Sequence, residues 1–347
     1  MKRIIAVFFL LTTMFSALSA YNPPVGAEKL FEYSGPESLS GNMTVAGGAI
    51  FSPGADSIIV NPALMGSQQL AILDLGYTFL HNYNKDDFRI GNAFQAGVLI
   101  PTKIFVFTGY LNGVFFPFDE INLGNSISFK GGISKDVSDK LDVGIGLTGG
   151  FAWNKGLSWS LGLDMGFNFH YGDLWIFKDF RYGASLLNIG KSYILKKSSG
   201  IDPSKDVSYF PNFTLKIGAA GTVFKNHILN IGVATDLSTS LFQNLIWDFN
   251  AQFLFKDTFL VSIGESINLR ESINNKWSAI PSISFGFNFV FGLEKYEYFN
   301  KKDWKESEMT VSTAYKNLYG AVNAYSAGIN IKLGMEDEEP PVIKFLD

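Results

Sequence analysis

From Gln69 to Leu333 the chain alternates between large apolar side chains and small or polar ones, in stretches of about 10 to 14 residues. Trp159, Leu161, Leu163, Met165, Phe167 and Phe169 are interleaved with Ser158, Ser160, Gly162, Asp164, Gly166, Asn168 and His170. Ile283, Phe285, Phe287, Phe289 and Phe291 are set against Ser282, Ser284, Gly286 and Asn288, and Trp247, Phe249, Ala251, Phe253 and Phe255 against Asp248, Asn250 and Gln252. Near the end Tyr325, Ala327, Ile329, Ile331 and Leu333 oppose Ser326, Gly328, Asn330 and Lys332. A period of two puts successive side chains on opposite faces of a strand, so each stretch has one greasy face and one polar or small face. Strands of soluble proteins average about five or six residues, whereas a tilted strand needs roughly 9 to 11 to cross a bilayer.

Stretches of this kind, separated by turn signals, fall near 68–80, 87–100, 103–117, 122–135, 139–154, 156–170, 174–188, 210–223, 226–237, 243–256, 258–270, 278–292, 306–318 and 320–333. Beyond the first twenty residues no apolar run is long enough for a spanning helix. The expected fold is therefore all-β, a transmembrane antiparallel β-barrel of about 14 strands with an N-terminal plug (hatch). Closure satisfies every backbone hydrogen bond where there is no water to do so. Pro101-Thr102, Asn154-Lys155 and Lys225-Asn226 read as tight periplasmic turns, and Asn82–Asp87, Gly190–Tyr209 and Arg270–Lys276 as longer outer loops. Tyr77, Trp153, Trp159, Trp175, Trp247 and Trp277 lie near strand ends, where interfacial aromatics gather.

Four regions are expected: 1–20 a signal peptide, 21–67 the plug, 68–334 the barrel and 335–347 an acidic, proline-containing tail. Lys2 and Arg3 supply a charged start, Ile4 to Phe15 an apolar run, and Ser16 to Ala20 small residues for cleavage. In the tail, Glu336 to Glu339 followed by Pro340-Pro341 argue against another strand. The absence of cysteine removes disulfides and thiolate chemistry, and a net charge of −4 without basic clusters gives no nucleic-acid footprint.

Motifs that carry chemistry elsewhere have plainer readings here. Gly144-Ile145-Gly146-Leu147-Thr148-Gly149 fits the dinucleotide pattern, but its glycines alternate within a strand instead of opening a helix. His81, His170 and His227 are scattered without a second ligand at zinc spacing. Ser160, Asp164 and His170 share the inward face of one strand, where polar lining is the ordinary content. Inward charges are expected at Lys130, Asp142, Asp164, Arg181, Lys216, Asp236, Asp248, Lys256 and Lys332, of mixed sign and without the like-charged rings of a selective pore. No enzyme activity, metal or cofactor is expected.

The stretch from Ala46 to Leu64 differs in kind. It is rich in small residues, and Asn61-Pro62 reads as a helix cap followed by proline at the first helical position. Asp56 is placed to cap a shorter turn upstream. Gly47-Gly48-Ala49, Asp56-Ser57 and Asn61-Pro62-Ala63, just before the first strand, resemble the hatch of the FadL-like outer-membrane protein family. Gly183-Ala184-Ser185-Leu186-Leu187-Asn188-Ile189-Gly190 is similar to a strand end found in many members, and the phenylalanine- and asparagine-rich composition looks most like a spirochaete branch. The resemblance implies a fourteen-stranded outer-membrane barrel whose hatch turn comprises Asn61, Pro62 and Ala63 with Asp56, Gly47 and Gly48. It implies passive uptake of hydrophobic small molecules such as long-chain fatty acids, with Phe51, Ile58, Ile59 and Val60 as candidate pocket residues. The resemblance implies a lateral exit beside a kinked strand, and Gly109 and Gly113 are where such a kink would be sought. The expected partners are outer-membrane lipid and a hydrophobic ligand. The alternative is a PorV-like scaffold that docks another envelope protein and transports nothing.

Overall fold

The computed structural model describes residues 21–51, 53–82, 88–153, 156–195, 200–202, 204, 208–210, 212–292 and 306–334. The expected signal peptide, the acidic tail and the turn residues Asn154 and Lys155 lie outside the described residues. The strands are β1 (Ala71–Asn82), β2 (Ile90–Pro101), β3 (Val106–Phe116), β4 (Gly124–Ser138), β5 (Leu141–Trp153), β6 (Leu157–Leu174), β7 (Phe177–Lys191) and β8 (Tyr193–Leu195). They continue with β9 (Ser208–Phe210), β10 (Thr214–Lys225), β11 (Leu229–Ser240), β12 (Asn244–Phe255), β13 (Phe259–Asn268), β14 (Ser282–Gly292), β15 (Glu306–Leu318) and β16 (Val322–Leu333). All but β8 and β9 form one closed antiparallel barrel, fourteen strands in sequence order with β1 sealed against β16. β8 and β9 pair with each other inside the long connection between β7 and β10.

The period-two pattern sorts as its chemistry requires. Trp159, Leu161, Phe249, Phe285, Phe287 and Ile329 are exposed on the outside of the barrel. Ser160, Asp164, Asn168, Asn250, Gln252, Ser284 and Asn330 are buried on the inside. An outer face this apolar over strands this long belongs in lipid, so the molecule is a transmembrane barrel of the outer-membrane type. Among the described residues no helix is long and apolar enough to cross a membrane.

Two expectations about the wall are corrected. Short turns do not mark a single rim: 102–105, 139–140, 175–176, 226–228 and 256–258 lie at one end, but 241–243 and 319–321 lie at the other, with the longer connections 117–123 and 269–281. Strand parity, not turn length, decides the side. Neither Gly109 nor Gly113 interrupts its strand, since β3 keeps an unbroken register with both β2 and β4. The most irregular seam is β6–β7, where the register shifts between Leu163 and Met165 and twice more between His170 and Leu174, while β4–β5, β7–β10 and β10–β11 each shift once. Lys256 also differs from expectation: it sits exposed in the β12–β13 turn at φ 49° instead of lining the lumen.

The N-terminal segment runs down the barrel interior. Asn22 meets Asp202 at the long-loop rim, where the Asp202 N–H donates to Asn22 Oδ1 at 3.0 Å, and the chain reaches β1 at the opposite, short-turn rim. On the way it forms a 3-10 turn over Ala27–Tyr33, a helical turn over Pro36–Leu39 and two more 3-10 turns over Ala55–Ile59 and Pro62–Met65. Two apolar clusters hold it. Ala27, Leu30, Tyr33 and Leu39 pack with Leu80, Val114, Phe116 and Leu318 near the long-loop rim, and Ile58, Ile59, Val60 and Met65 pack with Ile72, Leu99 and Val106 nearer the other.

Candidate functional site

The segment lies against glycines whose missing side chains make room for it. A Cβ at Gly144 would meet Pro62 O at 2.3 Å, one at Gly166 would meet Asn61 Oδ1 at 1.9 Å, and one at Gly183 would meet Val45 O at 2.5 Å. Higher in the lumen, Gly264 receives Ser40 O and Gly328 receives the Pro36 ring in the same way. Gly144 opens the dinucleotide-like motif of β5, so its place in that motif reflects close approach of Pro62 and not a nucleotide.

Around Asn61 the expected cap forms. Asn61 precedes the Pro62–Met65 turn in extended backbone, and its Oδ1 accepts from Ala63 N at 2.9 Å. Its Nδ2 donates to Val45 O at 2.7 Å and to Phe167 O of β6 at 3.0 Å, so one side chain ties the turn, the segment and the wall together. Asp56 does not cap: it lies inside the turn over Ala55–Ile59, whose N-cap is Gly54 without a side-chain bond. The acceptor comes from the wall, where Asp74 Oδ2 on β1 receives the N–H groups of Ala55 and Asp56, while Asn330 donates to Asp74 Oδ1. Burial, and then the facing Asp74, hold the Asp56 carboxyl well above its ordinary range. Gly47 adopts φ 82°, the left-handed region that glycine occupies without strain, and Gly48 O accepts from Arg181 Nη2 at 2.6 Å.

Charge fastens the segment midway. Lys29 Nζ lies 2.6 Å from Asp248 of β12 and 3.1 Å from Glu32, and Glu32 lies 3.0 Å from Lys216 Nζ of β10. Burial opposes the Lys29 charge, but Asp248 and Glu32 more than offset it and hold the ammonium above its ordinary value. Toward the long-loop rim, Glu271 accepts from Gly26 N at 2.8 Å, and Glu28 accepts from Asn244 and Asn268. Burial raises Glu271 to about 8 and Glu37, whose Oε1 receives Ser312 Oγ at 2.5 Å, to about 7.

A cavity of about 400 Å³ opens at the short-turn rim between the segment and strands β6, β7 and β10–β12. Ala49, Ile50, Phe51 and Leu64 form an apolar side, and Asn168, His170, Arg181 and Lys225 a polar one. Three smaller pockets deeper in the lumen hold about 30 Å³ or less.

The structure separates the residues singled out from the sequence. Phe51 lines the cavity, while Ile58, Ile59 and Val60 are buried in the lower apolar cluster. Asn61, Pro62 and Ala63 form one fully enclosed turn, tied to the segment through Val45 O, while Gly48 O is held separately by Arg181. Ser160, Asp164 and His170 do not converge: Asp164 pairs with Lys130 at 2.8 Å and His170 with Asp142 at 2.8 Å. Arg181, Asn168 and Lys225 carry the polar side of the cavity. Arg181 was legible as an inward charge, but nothing in its spacing indicated a cavity.

No model of a known protein family matches the chain, and no curated protein matches it. Solved structures do. The TodX monoaromatic hydrocarbon channel deltaS2 mutant is 10% identical at a TM-score of 0.52, covering 88% of this chain and 100% of its own. The TodX deltaS2S3 mutant is 11% identical at 0.50, covering 84% and 97%. A Pseudomonas aeruginosa FadL homologue is 12% identical at 0.45, covering 91% and 98%. At such identities the likeness is one of fold, and it is the fold that the FadL-like resemblance implies.

Proposed function

We propose that this protein is an outer-membrane channel for the passive uptake of hydrophobic small molecules, closed at rest by its N-terminal segment. The observation that carries the reading is the combination of a closed fourteen-stranded barrel, threaded by its own N-terminus, with the fold of a monoaromatic hydrocarbon channel. Long-chain fatty acids are the substrate class favoured by the resemblance in the hatch turn. Export by a cleavable signal peptide over residues 1–20 is part of the proposal, and N-terminal sequencing of the mature protein tests it.

A passage requires the segment to move. Opening must break the Lys29–Asp248 and Lys216–Glu32 pairs or slip the turn at Asn61 off its glycines. The test is uptake of labelled toluene and oleate into cells with and without the protein. Accumulation that depends on the protein, and rises when Lys29→Met loosens the segment, supports the channel. Equal accumulation in both strains rejects it. The tightness of the same fastening favours a second reading, a PorV-like scaffold without transport. A stoichiometric protein partner and no retained lipid after gentle detergent extraction support that reading over the first.

A further inference from the structure

Among the described residues Arg181 makes no ion pair, and Asp179 acts on it only at longer range. Arg181 faces the lumen from β7, where its Nη2 donates to Gly48 O at 2.6 Å and its Nε is buried without a hydrogen-bond partner. Among the described residues no carboxylate lies within ion-pairing distance of it, whereas Lys130 and Lys216 in the wall each have one. Removing a guanidinium from water without a counter-charge is costly, and the cost falls away when an anion is bound. The space for one is there. Arg181 lines the cavity of about 400 Å³, and beside it lies Asn168, 3% exposed, whose Oδ1 also has no partner. Lys225 adds a second positive charge at the mouth, Asp179 a negative one, and His170 is already engaged by Asp142.

We propose that this cavity at the short-turn rim binds a small organic carboxylate, its carboxylate paired with the Arg181 guanidinium and its apolar body against Ala49, Ile50 and Phe51. The volume falls within the range of about 300–1,000 Å³ typical of small-molecule sites. A bare inorganic anion would satisfy Arg181 but leave the apolar side uncovered, and a neutral hydrocarbon would cover that side but leave the guanidinium unpaired. An organic carboxylate does both. The site requires no passage through the barrel, so it goes beyond the channel reading and survives that reading's failure.

The experiment is calorimetric titration of the full-length protein in detergent with benzoate, benzyl alcohol and inorganic phosphate. Benzoate is expected to bind at least tenfold more tightly than either of the others, and Arg181→Gln to remove that preference. Ser67→Trp, at an exposed position on the cavity mouth, leaves every charge in place and is expected to abolish benzoate binding without changing the melting temperature. This variant keeps the test open if Arg181→Gln does not fold. Equal binding of benzyl alcohol or phosphate overturns the proposal, and so does benzoate binding that neither variant alters.

Discussion

Gly166 shows how little room single residues in the wall have. A methyl group there would sit 1.9 Å from Asn61 Oδ1, against an oxygen that is already held by Ala63 N. Gly166→Ala is therefore expected to cost roughly 1–3 kcal/mol, the range of overpacking in a well-packed interior. Gly156, with nothing within 4 Å of an added Cβ, serves as the neutral comparison. Thermal unfolding in detergent, followed by near-UV circular dichroism, measures both. Asn61→Ala removes the cap and two further hydrogen bonds, leaving Val45 O and Phe167 O short of a donor. The expected loss is about 2 kcal/mol or more, with faster proteolysis of the N-terminal segment.

At the scale of elements, the β6–β7 seam depends on one inward carboxylate. Leu163 pairs with Ile189 but Met165 with Leu186, so two residues of β7 face Asp164 alone. Asp164 Oδ1 accepts the N–H of Asn188, which sits at φ 58° in that bulge, at 2.6 Å. Its Oδ2 accepts from Lys130 Nζ at 2.8 Å and from Thr148 Oγ1 at 2.5 Å. The Lys130 ammonium in turn lies 4.9 Å from the Phe31 ring centroid of the segment. Asp164→Leu leaves a buried ammonium unpaired and is expected to destabilise by about 3–5 kcal/mol, whereas Lys130→Met with Asp164→Leu recovers most of it. A double-mutant cycle on melting temperatures measures the coupling. The glycine-rich motif ending Leu187-Asn188-Ile189-Gly190 was visible in the sequence as a resemblance. Its physical role as a bulge pinned from β6 required the register.

For the whole molecule, the lumen holds carboxyl groups that keep their protons. Glu37 is raised to about 7 and Glu271 to about 8, both chiefly by burial, so the folded state binds more protons than the unfolded chain above about pH 4.5. Stability is then greatest below the unfolded carboxyl range and falls as pH rises from about 4.5 to 8, levelling beyond. Melting temperatures across that range are expected to decline, and Glu37→Gln to flatten the portion below about pH 7. A pH profile that rises over this window would contradict the protonated state of both groups.

Alternation and length alone determined that this chain forms a long-stranded barrel, because the side-chain period of a strand is two and the bilayer sets how far each must reach. The Asn61-Pro62 cap was equally legible, being local chemistry between neighbours in sequence. Contacts between distant parts were not. Asp56 looked like a cap, yet Asp74 supplies that acceptor from the wall, and Gly109 and Gly113 looked like places for a kink, yet β3 keeps an unbroken register. Inward glycines and charges could be enumerated from the period. Which glycine receives which part of the segment, and whether Arg181 has a partner, follows from register and from the path of the N-terminus. Those are long-range matters, decided only when the barrel closes around its own beginning.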